Sequence, residues 1–334
     1  VKKPTISDLA KAAGVSVTTV SHAFSGRRHV DPETCKRIER LADQLGYHPS
    51  GMARALRSGR TGVIALASSM PFAVAAGPSR LGFLMEIAAS AAMSALTRDL
   101  ALCLIPPHPT APSYGTASFD GVILVEPMLD DPLIQHFEQR RTAIVSIGTV
   151  PGRPDIPSID LRSHETACLL LNHLAEQGCR QIAALLGTSP RTSQIESADA
   201  YAAFVAQHGT QARLIRLEEE DAENTAYRQM LDVLRTDPAV DGVFASIDAF
   251  ATGAIRAAHD TDRAIPEKLC VVTRYDGLRA KLSQPPLTAV DLYLPMVAEK
   301  AVELLLNQID GHKHSVKSDL PKLIIRASSQ KRGS

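Results

Sequence analysis

From about residue 62 onward the chain alternates short apolar runs with amphipathic segments of helix length, and this alternation limits the possible folds more than any other feature. The runs, rich in Val, Ile, Leu and Ala, fall near 62–68, 101–105, 121–125, 143–147, 181–186, 212–217, 242–247 and 269–275. Continuous apolar strands separated by helices indicate parallel sheets, because a parallel connection needs a crossover and the crossover helix covers a face of the sheet. The expected class is α/β with doubly wound parallel sheets, whose ligands gather beyond the carboxyl ends of the strands. Two such sheets leave a cleft between them. The chain has 334 residues, too many for one small core, and its 45% hydrophobic content suits globular folding.

The first sixty residues follow a different rule. Thr5 and Asp8 form a T-x-x-D capping box that starts a helix with a small apolar face of Leu9, Ala10 and Ala13. Gly14 stands where the chain must reverse tightly and a left-handed backbone costs little without a Cβ. Ser16 is placed to cap a second helix, with Val15 and Val20 turned inward and Val17, Thr18, Ser21 and His22 turned outward. The outward face is a candidate base-reading surface, since the N-terminal residues of the second helix of a helix-turn-helix reach base edges in the major groove. Asp31-Pro32-Glu33 marks a third helix, expected to run to about Leu45 and stop at Gly46.

An A-x-x-x-G turn by itself also occurs in helical pairs that bind no nucleic acid, and charge separates the two readings. Residues 1–60 hold 11 Lys/Arg against 5 Asp/Glu, whereas the remaining residues hold 25 against 31, so the neutral chain is a basic head on an acidic body. A basic head suits contact with phosphates. After Tyr47-His48-Pro49, the stretch from Ser50 to Arg57 is a capped segment of about two helical turns. A helix so short is marginal alone and needs a supporting surface. Leu56 fits a wedge between base steps in the minor groove, with Arg54 and Arg57 near phosphates; the alternative is a linker whose leucine packs on its own chain.

The run T-I-S-D-L-A-K-A-A-G-V-S-V-T-T-V-S, the D-P-E-T-C-K-R-I helix start, L-G-Y-H-P-S and A-R-A-L-R-S-G-R-T-G resemble the lactose-repressor/galactose-repressor (LacI/GalR) family of bacterial transcription regulators. Weaker likenesses continue at Asp120-Gly-Val-Ile-Leu (D-G-I-I), Ser158-Ile-Asp160, Asn172 to Gly178 (H-L-x-x-x-G), Arg274-Tyr-Asp276 (G-F-D) and Pro286-Leu-Thr-Ala-Val290. The resemblance implies a helix-turn-helix domain at 1–49, a hinge helix and linker at 50–60, and an effector-binding and dimerisation domain at 61–334 similar to periplasmic binding proteins. Its N-subdomain is expected at about 61–160 and 291–321, and its C-subdomain at about 161–290 and 322–334. It further implies a homodimer on a pseudo-palindromic double-stranded operator, controlled by a small-molecule effector and using no cofactor. Val17, Thr18, His22 and Leu56 are implied for base readout, and Thr5, Ser16, Thr19, Ser21, Arg54 and Arg57 for phosphate contact. His22 departs from the family's usual arginine, exchanging a bidentate grip on guanine for one hydrogen bond at a time.

Polar residues at strand ends are the candidates for effector contact: Ser69, Ser189, Arg191, Asp248 and, above all, Asp276, with Phe72 as an apolar wall. Each has a structural alternative, as a loop cap or an interface residue. Two departures weigh against a plain hexose. Ser197 stands where sugar-sensing relatives carry arginine, and Ile247-Asp248 stands for their Asn-Asp pair. The effector class therefore stays open.

The segment Leu81–Leu96 is apolar nearly all round, which suits either a subunit contact or full burial inside one subunit. No run of eighteen apolar residues spans a membrane, and Val1-Lys2-Lys3-Pro4 leads into a cap rather than a signal, so a cytoplasmic, nucleoid-associated bacterial protein is expected. Cys35, Cys103, Cys168, Cys179 and Cys270 are odd in number and never spaced C-x-x-C, as reduced thiols would be. The nucleophile-elbow, phosphate-loop, dinucleotide and zinc-protease motifs are missing, which speaks against an enzyme. A cytoplasmic small-molecule-binding protein of the same fold, without a regulatory role, is the alternative function.

Overall fold

The computed structural model describes residues 4–25, 29–47, 60–71, 74, 82–105 and 118–330. The chain separates into two compact units, one running to Val63 and taking in Thr116–Asp120, the other holding the rest.

In the first unit, helices α1 (Ile6–Ala13), α2 (Val17–Ser25) and α3 (Pro32–Leu45) close on a core of Leu9, Ala10, Ala13, Val20, Ile38, Ala42 and Tyr47. Each expected punctuation mark is in place. Thr5 and Asp8 exchange hydrogen bonds as a capping box, and Gly14 adopts φ 66° where the chain turns. Asp31 accepts from the Thr34 amide ahead of Pro32, and Gly46 ends α3 in the left-handed region. Asp120, of the D-G motif, accepts from the amides of Thr61 at 2.5 Å and Gly62 at 2.8 Å.

The second unit contains two main sheets. Strands β1 (Val63–Ala67), β2 (Ala101–Leu104), β3 (Gly121–Val125), β4 (Ala143–Ile147), β5 (Ser158–Asp160) and β11 (Val316–Lys317) make a six-stranded sheet in the order β11-β5-β4-β3-β1-β2. Strands β6 (Ile182–Gly187), β7 (Arg213–Leu217), β8 (Gly242–Ala245) and β9 (Cys270–Thr273) make a four-stranded parallel sheet in the order β7-β6-β8-β9. Strand β10 (Ala289–Asp291) pairs antiparallel with β12 (Lys322–Ile324). All eight apolar runs became strands. The short β5, β10, β11 and β12 escaped the pattern because strands of two or three residues have no period to read.

Helices cover the sheets as the alternation requires: α4 (Phe83–Leu96), α5 (Pro132–Gln139), α6 (Ser163–Glu176), α7 (Thr192–His208), α8 (Ala222–Thr236), α9 (Asp248–Asp260), α10 (Leu278–Leu282) and α11 (Leu294–Ile309). Helix α11 returns to pack on α4, β3 and β4, and its Leu305 packs directly against Gly121, where a Cβ would stand 2.6 Å from Leu305 Cδ1. Two strand exits use the same device. After β5 the Asp160 carboxylate accepts from the Arg162 amide at 2.8 Å, and after β10 Asp291 accepts from Tyr293 at the same distance. Arg162 (φ 54°) and Tyr293 (φ 52°) are both left-handed and each opens a long helix. An I-D-L-R and a V-D-L-Y thus turn the chain out of a strand in the same way.

Candidate nucleic-acid interface and effector cleft

The reading surface of the first unit is built by burying one side of a nine-residue helix. Val20 of α2 is fully buried, while Val17 is 42% exposed and Thr18 is exposed beside it. Ser21 and His22 lie half-buried on the same helix. The Ser16 hydroxyl accepts from the Thr19 amide at 3.0 Å and meets the Thr19 hydroxyl at 2.8 Å, which fixes the entry of α2. Thr5 donates to Asp8 Oδ2 at 2.7 Å. Thr5, Ser16 and Thr19 all lie at the N-terminal ends of α1 and α2, where backbone amides point outward. Leu56, Arg54 and Arg57 lie outside the described residues.

The cleft in the second unit is lined by Met70, Val74, Phe83, Ile247 and Tyr275 together with Glu126, Arg191, Gln194, Glu219, Ser246, Asp248 and Arg274. Of the sequence candidates, Arg191 and Asp248 are brought together here. Arg191 is 3% exposed and donates to Ser69 Oγ at 3.2 Å and to the Glu126 carbonyl. Ser69 supports this arginine and donates to Asp131 at 2.5 Å. Ser189 contributes its amide to Glu219 at 3.3 Å. Asp276 is not among the residues lining this cleft. It pairs with Arg326 at 2.5 Å and Lys281 at 3.6 Å, on the wall of a separate cavity bounded by Glu86, Tyr293 and Met296. Phe72 lies outside the described residues.

The central polar group of the cleft is Glu126, which sequence reasoning passed over. It is the first residue beyond β3, is held at φ 50° and is 4% exposed. Its carboxylate accepts from Arg274 Nη2 at 2.8 Å and from Ser193 Oγ. Arg274 is the first residue beyond β9 and replaces the glycine of the family's G-F-D; Ser246 is the first beyond β8 and donates to Gln194 at 2.8 Å. Taking the residue directly after every parallel strand would have found all three. Burial pushes the Glu219 carboxyl up, against the pull of Arg191. Burial likewise raises Asp248, against Arg279. The Glu219 carboxylate lies directly over Gly187, the glycine that ends β6. Ser197, in place of the sugar-site arginine, is fully buried and its hydroxyl has no partner.

A capped helix-turn-helix unit joined in one chain to a two-sheet, cleft-bearing unit defines a DNA-binding regulator with a periplasmic-binding-protein-like core. Residues 5–50 match the description "Bacterial regulatory proteins, lacI family", and residues 171–329 match "Periplasmic binding protein-like domain". The chain belongs to the LacI/GalR family of transcriptional regulators. It is 27% identical to the HTH-type transcriptional regulator CelR of Thermobifida fusca, over 93% of each chain. It is 26% identical to the ribose operon repressor of Halalkalibacterium halodurans, over 98% of this chain and 97% of that one. It is 28% identical to the transcriptional repressor PurR of Erwinia tasmaniensis, over 97% and 96%. The fold matches the Lac repressor dimer bound to operator and the anti-inducer ONPF, with a TM-score of 0.78 at 20% identity, covering 99% of this chain and 100% of that one. It also matches the CelR–cellobiose complex, with a TM-score of 0.72 at 24% identity, covering 98% and 100%. Among the described residues no cluster of His, Cys, Asp and Glu is arranged to hold a metal, and no helix is long and apolar enough to cross a membrane.

Proposed function

We propose that the chain is a cytoplasmic repressor that binds a pseudo-palindromic operator as a homodimer and does no enzymatic chemistry. Val17, Thr18 and His22 read bases, Thr5, Ser16, Thr19 and Ser21 hold phosphates, and Leu56 with Arg54 and Arg57 engages the minor groove. The domain limits are 1–49, 50–60 and 61–334, with the last divided near 160, 290 and 322. One observation carries the reading: α2 buries Val20 completely while presenting Val17 and Thr18 to solvent behind the Ser16 cap. Short, outward side chains on a rigid, capped helix are what a major groove accepts. Met93 and Leu96, 64% and 67% exposed beside the exposed Ala89 and Ala92 of α4, leave an apolar strip for a second subunit.

A small molecule in the cleft, contacted by Arg191 and Asp248, controls operator affinity. It acts only through the difference between its binding to the DNA-competent and incompetent forms. Asp276, paired with Arg326 on the wall of a separate cavity, is assigned a structural role rather than ligand contact. Base-by-base operator selection on the wild type and on His22→Arg tests the head: the two are expected to prefer different bases at one half-site position. Identical preferences remove His22 from readout, and recovery of no sequence at all removes the proposal.

A further inference from the structure

The cleft also carries information about what it binds, and the following rests on the reading of it as the effector site. Several of its polar groups satisfy one another. Glu126 accepts from Arg274 and Ser193, its carbonyl accepts from Arg191, and Gln194 Oε1 accepts from the Gly187 amide and from Ser246 at 2.8 Å each.

Four groups are left over. The Nε atoms of Arg191 and Arg274 have no partner, in side chains whose residues are 3% and 7% exposed. A buried donor without an acceptor is costly. On the acidic side, Glu219 is 2% exposed, is held only through Ser189, and forms no ion pair among the described residues. Asp248 has amides of its own first turn and Arg279 Nε at 3.6 Å, but that guanidinium binds Glu223 more closely, at 2.9 Å. Burial raises both carboxyls, as it does wherever a negative charge lacks a full counterpart. One chamber therefore brings together two guanidinium Nε donors without acceptors and two carboxyls that burial raises.

We infer that the effector is a small zwitterion of the amino-acid type, its ammonium taken by Glu219 and Asp248 and its carboxylate by Arg191 and Arg274. Met70, Val74, Phe83 and Ile247 leave an apolar wall for its side chain. A neutral sugar supplies hydroxyls but no charge to offset either pair.

The test is calorimetric titration and thermal melting of the full chain with α-, β- and γ-amino acids, their N-acetylated and decarboxylated counterparts, and glucose, ribose and cellobiose. At least one amino acid is expected to bind and raise the melting temperature, with each of its single-charge counterparts weakened tenfold or more. Glu219→Gln is expected to weaken the same amino acid by at least tenfold; Asp248→Asn serves equally should the first variant fail to fold. A sugar that binds and is indifferent to both variants overturns the inference, as does binding of no amino acid. The same preparation is tested for retention of genomic DNA. DNA retained with no amino acid bound sinks the ligand class alone, whereas an amino acid bound with no DNA retained sinks the regulator instead.

Discussion

The two units solve opposite electrostatic problems. The head keeps its proposed reading groups in water: Val17 and Thr18 stand exposed on one short helix, and the polar groups beside them are caps reaching three residues along the chain. The core does the reverse, enclosing Glu126, Arg191, Glu219 and Arg274 at less than a tenth exposure and joining residues 148 apart in sequence. Exposed side chains on α2 can be exchanged without disturbing the scaffold, whereas the buried Arg274–Glu126 pair is also part of what holds the core together. Specificity for DNA and specificity for effector therefore differ in what a substitution costs.

The strongest way to break this contrast is Arg274→Met. It leaves Glu126 buried without its guanidinium, and the core's urea transition is expected to lose about 3–5 kcal/mol; a loss below about 1 kcal/mol would place the pair in effectively aqueous surroundings. Next, Leu9→Ala removes a fully buried side chain from a very small core, at about 2–5 kcal/mol. A head so small has little stability to lose, so DNA retention should vanish while the core's melting transition stays where it was.

Thr18→Ala sharpens the comparison, since stability should hold within about 0.5 kcal/mol while operator affinity falls by about 1–3 kcal/mol. Equal operator affinity in a gel-shift titration would take Thr18 off the reading surface. Ser16→Ala loses the α2 cap, about 1 kcal/mol of head stability, read by denaturation of the full chain.

The smallest effect concerns pH. His173 is 2% exposed and meets Ser329 Oγ at 2.7 Å, and burial lowers it from its ordinary 6.5. The unfolded chain then takes up the proton first, so this part of the core's stability is complete above pH 6.5 and is lost as pH falls toward the lowered native value. His173→Gln should flatten the melting temperature between pH 7 and pH 5 relative to wild type, and an unchanged slope would place the titration elsewhere.

The difference between the units also explains what could be read in advance. The head's caps, turn glycine and inward valine act over spans of three to five residues, and a sequence displays such spans directly. The eight long strands were equally visible, because continuous apolar runs are their own signal. The cleft was not. Arg191 and Asp248 were recognised as strand-end polar groups, but nothing in the neighbourhood of Glu126 announces that it will meet Arg274. Asp276 was favoured on family likeness, and Arg326, fifty residues further on, draws it to another wall. Long-range charge pairing has no local period, which is why the site was only half legible.

Salt titration of operator binding tests the central claim most directly. A head that docks through its basic and helix-terminal groups displaces counterions, so the logarithm of the association constant should fall linearly with the logarithm of salt concentration, with a slope of about −0.9 per phosphate neutralised. A slope equivalent to several phosphates, lost together with binding in Leu9→Ala, is the predicted result. Affinity independent of salt, or fully retained in that variant, would contradict the account.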